Sequence, residues 1–330
     1  MVNSSAEIAG ALDASDVLGI NCADEEKRIE NFLRETLRKL NRRGCVLGVS
    51  GGVDSAVCAH LAARAVGPER VLGLLMPERE SSEAAQARAR HLCECLGIRC
   101  IVEDISSSLE AIGCYRRRDE AIKTVFPEYG IGWKQKIYIA SGKAWAPYFN
   151  LVVESPGGER FQQRLSLEAY LQVVAATNFK QRIRKSVEYY HAERLNYGVL
   201  GTPNRLEYAL GFFVRGGDGL ADLKPIAHLY KTQVYALAKY LDVSEEIRYQ
   251  PPSTDTYSLP QTQEEFYFAL SYSDADLALY GISNGVRPDI IAKALGCDLG
   301  QIERITRDFE GKRLVAARSL RDAFVLEVEQ

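Results

Sequence analysis

The sequence predicts an α/β fold: an open, doubly wound, mostly parallel sheet with helices on both faces, plus a β-rich insertion. Three observations lead there. Short apolar runs at residues 46–49, 71–76, 99–103 and 197–200 read as strands. Segments with apolar residues at helical spacing separate them. Strands alternating with helices imply right-handed crossovers and a parallel sheet covered on both faces.

Taken in order, residues 1–24 are rich in Ser and Ala and form a lead-in. Over 25–40, Ile29, Phe32, Leu33, Leu37 and Leu40 recur at helical spacing. Strand 46–49 runs into Ser50-Gly51-Gly52-Val53-Asp54-Ser55, and an apolar helix over 56–66 follows. Gly67-Pro68 leads into the second strand. Ser82 reads as an N-cap, with Glu83 just inside and Gly97 placed to end the helix after Leu96. The third strand is 99–103. Residues 112–165 then break the rhythm, with Trp133, Trp145, Tyr138, Tyr148, Phe149 and several lysines. Strands are expected at 137–139 and 148–154. Pro156-Gly157-Gly158 is a turn signal, so 149–165 reads as a hairpin. A long helix is expected over 165–195, then the fourth strand. Two short helices around Gly296, within 285–313, read as a packing cap. The expected division is a lead-in 1–24, a main domain 25–280 carrying the insertion 112–165, and a helical cap 281–330.

Composition bounds the function. The chain has 330 residues, 46% hydrophobic and 26% charged, as ordinary soluble proteins do. A net charge of −3 gives no electrostatic reason to expect nucleic-acid binding. No apolar run approaches membrane-span length, and the N-terminus lacks a signal-peptide layout. The 8 cysteines include no Cys-x-x-Cys pair and read as reduced, mainly buried thiols of a cytoplasmic protein. With only 4 histidines, none at ligand spacing, zinc is disfavoured. His228 is expected to be structural.

The 50–55 loop carries the chemistry. Gly51 and Gly52 let the backbone turn sharply and approach a ligand closely. The helix behind them offers unpaired N–H groups and the positive end of its dipole, which makes an anion site. Ser50 and Ser55 add hydroxyl donors, and Asp54 can hold Mg²⁺ through a carboxylate oxygen. The Gly-Lys-Ser/Thr ending of a P-loop is absent, so a kinase or GTPase is a poor reading. The Ser-Gly-Gly-x-Asp-Ser string resembles the signature of the N-type ATP pyrophosphatases, which implies cleavage of ATP between its α- and β-phosphates.

Further motifs narrow the resemblance. Asn178-Phe179-Lys180-Gln181-Arg182-Ile183-Arg184 comes first, then Gly201-Thr202-Pro203-Asn204-Arg205-Leu206-Glu207 at the end of the fourth strand. Gly217-Asp218-Gly219, Asp222 and Leu229-Tyr230-Lys231-Thr232 follow. In order and spacing these resemble the NAD synthetases, from the N-terminal helix to about residue 280. The resemblance implies an adenine nucleotide alpha hydrolase-like fold and adenylation of the deamido-NAD carboxylate by ATP with Mg²⁺. Pyrophosphate leaves and ammonia then gives the amide. It implies ATP-binding roles for Ser50, Gly51, Gly52, Asp54, Ser55, Met76, Thr202, Lys231 and Ser253. Asp54 and Glu207 would hold the metal. Arg182, Arg184, Arg215, Asp218 and Asp222 would line the deamido-NAD site, and Asp222 is the candidate for guiding or deprotonating ammonium. A homodimer is expected.

The chemistry is coherent with this. Carboxylate and ATP repel one another, and Mg²⁺ with Lys231 would neutralise the charge that builds as the carboxylate attacks phosphorus. Only 49 residues precede Ser50, so no glutaminase domain is expected there. The nitrogen source would be free ammonia, or ammonia from a separate subunit. Arg215-Gly216 replaces the family's usual Lys-Tyr and Gln263-Glu264 its Asp-Glu, and 112–165 is longer than usual. The alternative is therefore a paralogue that amidates, or couples an amine to, a different carboxylate. A tRNA-thiolating enzyme would want a basic face and catalytic cysteines, and a dead nucleotide sensor would have lost Asp54 and Glu207. For 112–165, a flap over the substrate and extra packing at a dimer interface are equal expectations.

Overall fold

The computed structural model describes residues 12–140, 148–252 and 256–326. A short helix α1 (Ala14–Leu18) leads into α2 (Cys22–Lys39). α2 starts earlier than the apolar spacing suggested because the Asn21 side chain accepts the N–H groups of Ala23 and Asp24. β1 (Cys45–Gly48), α3 (Val53–Val66), β2 (Val71–Leu75), α4 (Glu83–Leu96) and β3 (Arg99–Val102) follow in alternation. The Ser82 cap and the left-handed Gly97 stop stand where the sequence put them.

The 112–165 region is a correction. It is not β-rich throughout: after α5 (Ser106–Ala111) comes a helix, α6 (Cys114–Lys123). Its buried residues Cys114, Tyr115, Arg118, Ala121 and Ile122 follow helical spacing, which the nearby aromatic residues obscured. Only then come β4 (Lys134–Ala140), β5 (Tyr148–Glu154) and β6 (Arg160–Arg164), an antiparallel sheet in that order. The hairpin turn falls at Pro156-Gly157-Gly158, with Gly158 at φ 85°. Trp145 lies outside the described residues.

α7 (Leu167–Leu195) is the long helix, capped by Ser166, and β7 (Gly198–Val199) is the short fourth strand. The parallel sheet has the order β3-β2-β1-β7. β1 is therefore the strand from which the chain winds both ways, and ligands of open α/β sheets bind at the carboxyl ends beside such a switch point. Alternate β1 residues face opposite layers. Cys45, Leu47 and Val49 pack with α2, α3 and α4, while Val46 packs with Leu109 of α5, Cys114 of α6 and Ala192 of α7.

The remaining helices cover the far edge: α8 (Arg205–Leu210), α9 (Lys231–Tyr240), α10 (Glu245–Arg248), α11 (Tyr272–Ser283), α12 (Pro288–Leu295) and α13 (Leu299–Leu320). α13 is longer than the short helix expected after Gly296. Its Phe309 is buried with Leu206 and Leu210 of α8. Gly211 ends α8 at φ 79°, and a Cβ there would stand 3.1 Å from the Ala316 Cα, so α13 approaches too closely for a larger residue. No helix among the described residues is long and apolar enough to cross a membrane.

His60 on α3 supplies a stability test. Burial, with Arg64 adding to it, pushes its pKa down from 6.5 to about 4. The folded protein keeps this imidazole neutral while the unfolded chain protonates it. Its contribution is thus intact above pH 6.5 and lost as pH falls towards 4. Because the ring is partly exposed, His60→Gln is expected to reduce the acid loss by only about 1 kcal/mol. Denaturant midpoints of both proteins at pH 7 and pH 5 check this.

Candidate active site

The loop after β1 is closed by its own serines. Ser50 N–H donates to Ser55 Oγ at 3.3 Å, Ser55 Oγ donates to the Gly52 carbonyl at 2.9 Å, and Gly52 N–H donates to Ser50 Oγ at 3.2 Å. Gly51 adopts φ 80°, and a Cβ there would collide with the Ala85 carbonyl oxygen of α4. Gly52 caps α3 without any side-chain hydrogen bond. The first-turn N–H groups of a 14-residue helix therefore face the cavity uncapped by a side chain, as an anion site requires.

Three charged side chains meet beside this loop. Lys231, the first residue of α9, is fully buried and ion-pairs with Asp54 in the first turn of α3. Burial alone would lower the Lys231 pKa, but the charges of Asp54 and Glu207 outweigh it and hold it up, so it stays an ammonium. Glu207, in the first turn of α8, is pushed up by burial first and by the charge of Asp54 second. Two carboxylates thus share one ammonium in a desolvated corner.

Asn204 links the two acids. It is fully buried, its Nδ2 donates to Asp54 Oδ1 at 3.2 Å, and its backbone N–H donates to Glu207 Oε2 at 3.1 Å. Its Oδ1 accepts the Glu207 N–H at 3.1 Å, completing a capping box on α8. The Asn-x-x-Glu spacing is visible in the sequence as a capping signal, but its reach to Asp54 is not.

A cavity of about 480 Å³ opens onto these groups. Ser50, Gly51, Gly52, Asp54, Ser55, Met76, Thr202, Glu207 and Lys231 line it, as do Arg184 and Asp218. Asp218 accepts the Val214 N–H at 2.7 Å, and Arg184 Nε donates to the Met76 carbonyl at 3.3 Å. Three of the expected residues stand elsewhere. Arg182 is exposed and donates to the Arg215 carbonyl at 3.2 Å, and the Arg215 guanidinium donates to the Arg321 carbonyl. Asp222 is exposed and holds strand β7, accepting the Val199 N–H at 2.8 Å and the Tyr189 hydroxyl at 3.2 Å. There it braces β7, and it is not among the residues that line the cavity. Ser253 lies outside the described residues. His228 accords with a structural role, hydrogen-bonded to Glu25 on the surface.

Spacing alone did not single out a second buried charge cluster. Lys180 Nζ donates to Glu78 Oε1 at 2.9 Å, Glu80 Oε2 at 2.7 Å and the Thr256 carbonyl at 2.8 Å. Arg118 of α6 meets Glu80 at 2.6 Å. The cluster joins α6, α7, the segment after β2 and the stretch beginning at Thr256. Lys185 and Glu188 form a third buried pair at 2.5 Å on the cavity side of α7.

The residues fit a magnesium ion. Asp54 and Glu207 offer hard carboxyl oxygens that Asn204 bridges, and a bound cation would favour the charged form of Glu207, which burial and the Asp54 charge otherwise disfavour. Among the described residues no group of three or more His, Cys, Asp or Glu could form a metal site. Two protein carboxylates, with phosphate oxygens and water completing the shell, is how Mg²⁺ is usually bound at nucleotide sites.

A parallel sheet with a glycine loop at the carboxyl end of its switch-point strand defines a nucleotide-binding α/β protein. The NAD synthase family model matches residues 25–125 and 155–314, and the chain belongs to that family. Relatives include the NH(3)-dependent NAD(+) synthetase of Rhizobium meliloti (strain 1021), 52% identical over 91% of this chain and 90% of that one. The protein of the same name from Thermotoga neapolitana is 38% identical, over 76% of this chain and 81% of its own. Among solved structures, NMN synthetase from Francisella tularensis superimposes with a TM-score of 0.65 at 21% identity, covering 94% of this chain and all of that one. The NH3-dependent NAD synthetase of Campylobacter jejuni gives 0.59 at 23%, with the same coverage. At those identities the two structures speak for the fold.

Proposed function

We propose that this chain converts deamido-NAD, ATP and ammonia to NAD, AMP and pyrophosphate. The observation that carries the chemistry is the buried Asp54–Lys231–Glu207 group at the uncapped start of α3. The substrate is supported by the 52% identity, over nine-tenths of both chains, to a relative named for that reaction.

The carboxylate oxygen attacks the α-phosphorus of ATP, the bond to the β-phosphate breaks, and an acyl-adenylate forms. The loop N–H groups and Lys231 stabilise the charge that builds on the phosphates. Asp54 holds the Lys231 ammonium in place, and Asn204 keeps both acids turned to the same point. Mg²⁺ held by Asp54 and Glu207 would add charge neutralisation on the phosphate oxygens. Neutral ammonia then attacks the acyl carbon and AMP leaves. No protein nucleophile is required. A homodimer and a cytoplasmic setting belong to this reading, through the family resemblance and the free, mainly shielded thiols. So does a 281–330 cap, which the packing of α13 on α8 supports.

Incubating the protein with deamido-NAD, ATP, Mg²⁺ and ammonium chloride is expected to release NAD and AMP in equal amounts. ATP cleavage with another carboxylate, and inertness towards deamido-NAD, would replace this substrate with a different one.

A further inference from the structure

We propose that the antiparallel sheet β4–β6 is a wall of the substrate cavity, and that Phe149 with Tyr170 forms a platform for a flat heteroaromatic ring of a bound nucleotide. This rests on the reading above only in taking nucleotides as the occupants. The family match stops at residue 125 and resumes at 155, so β4 and β5 lie outside it. Yet Phe149 of β5 lines the same cavity as the glycine loop. Its ring stacks on that of Tyr170 with centroids 3.9 Å apart and planes 16° from parallel, and Tyr170 lines the cavity too.

The sheet is held firmly enough to serve as a wall. Ile137, Leu151 and Val153 are fully buried against Ile122 of α6 and Val173 of α7. The free edge of β4 also pairs with the stretch after Thr256. Gln135 N–H donates to Ser258 Oγ at 2.8 Å, Leu259 N–H donates to the Gln135 carbonyl at 3.1 Å, and Gln261 Nε2 donates to the Ile137 carbonyl. At its start that stretch is held by Lys180 on the Thr256 carbonyl. The sheet thereby sets where Tyr257 and Phe266, also on the cavity wall, can sit.

α7 gives the scale. It lines the cavity from Tyr170 to Glu188, which at the rise of a helix is about 27 Å. Glu188 lies beside Gly48, at the end of β1. The aromatic pair therefore stands at the end of the helix far from β1, in a groove long enough for more than one nucleotide. Adenine and pyridine rings both stack on aromatic side chains, and removing such a stack costs binding about ten-fold or more.

Titration calorimetry tests this with two probes, deamido-NAD and the α,β-methylene analogue of ATP, on wild type, Phe149→Leu and Phe149→Tyr. Phe149→Leu keeps apolar bulk but removes the stack. It is expected to raise the dissociation constant of one probe about ten-fold, while Phe149→Tyr stays within about two-fold of wild type. The responding probe identifies the ring. Unchanged affinity for both probes would overturn the platform. So would an equal loss for both accompanied by a lowered thermal midpoint in Phe149→Leu and in Tyr170→Leu, because that is what packing alone would give. A wild type that binds the ATP analogue but not deamido-NAD defeats the proposed substrate, and the platform is then judged on the ATP probe. A wild type that binds neither defeats both.

Discussion

Replacing Lys231 with Met is expected to lower kcat for NAD formation by about a hundred- to a thousand-fold. Lys231 is a buried cation on the cavity wall beside the anion loop, and its surroundings keep it charged. Methionine fills the same space but leaves the developing phosphate charge without that partner. The change should also destabilise the protein. Asp54 and Glu207 lose their shared ammonium in a desolvated site, and breaking a buried pair from one side costs about 3–5 kcal/mol. Added Mg²⁺ should recover part of that stability, since a cation between the two acids replaces the lost charge. Steady-state kinetics below the variant's melting range, with thermal midpoints at several Mg²⁺ concentrations, check both effects. A variant with near-normal kcat would remove Lys231 from the phosphate site.

Asp54→Ala is the second large effect. It removes the partner of Lys231 and one of the two proposed metal ligands, so kcat should fall about a thousand-fold and the Mg²⁺ concentration for half-maximal rate should rise. Affinity for ATP in the absence of Mg²⁺ should change little, because the loop N–H groups and serines remain. Binding of ATP with and without Mg²⁺ separates the two contributions. An Asp54→Ala protein with unchanged Mg²⁺ dependence would contradict the metal assignment.

Much of the fold was legible because the sheet strands are apolar and the punctuation is strong. Ser82, Gly97 and the glycine loop act locally, through caps and turns, and local signals survive in sequence. Element starts were less legible: α3 begins at Val53, where Gly52 caps it without a side chain to announce the fact. α6 was hidden among aromatics that resemble strand residues. The site was legible where a motif carries its own geometry, as in Ser50–Ser55. It was not where function depends on distant segments meeting. Asn204 reaches Asp54 across 150 residues, and Phe149 reaches the cavity only because β4 and β5 pack on α7. Asp222 shows the converse. Its place in a motif suggested chemistry, whereas its carboxylate is engaged by a strand N–H.

The central claim is that a carboxylate oxygen of the substrate attacks the α-phosphorus of ATP. Deamido-NAD labelled with ¹⁸O in its nicotinate carboxylate tests it directly. With ATP, Mg²⁺ and ammonium, mass spectrometry should find one ¹⁸O in each AMP and one in each NAD amide. Unlabelled AMP, or ADP and phosphate in place of AMP and pyrophosphate, would contradict it.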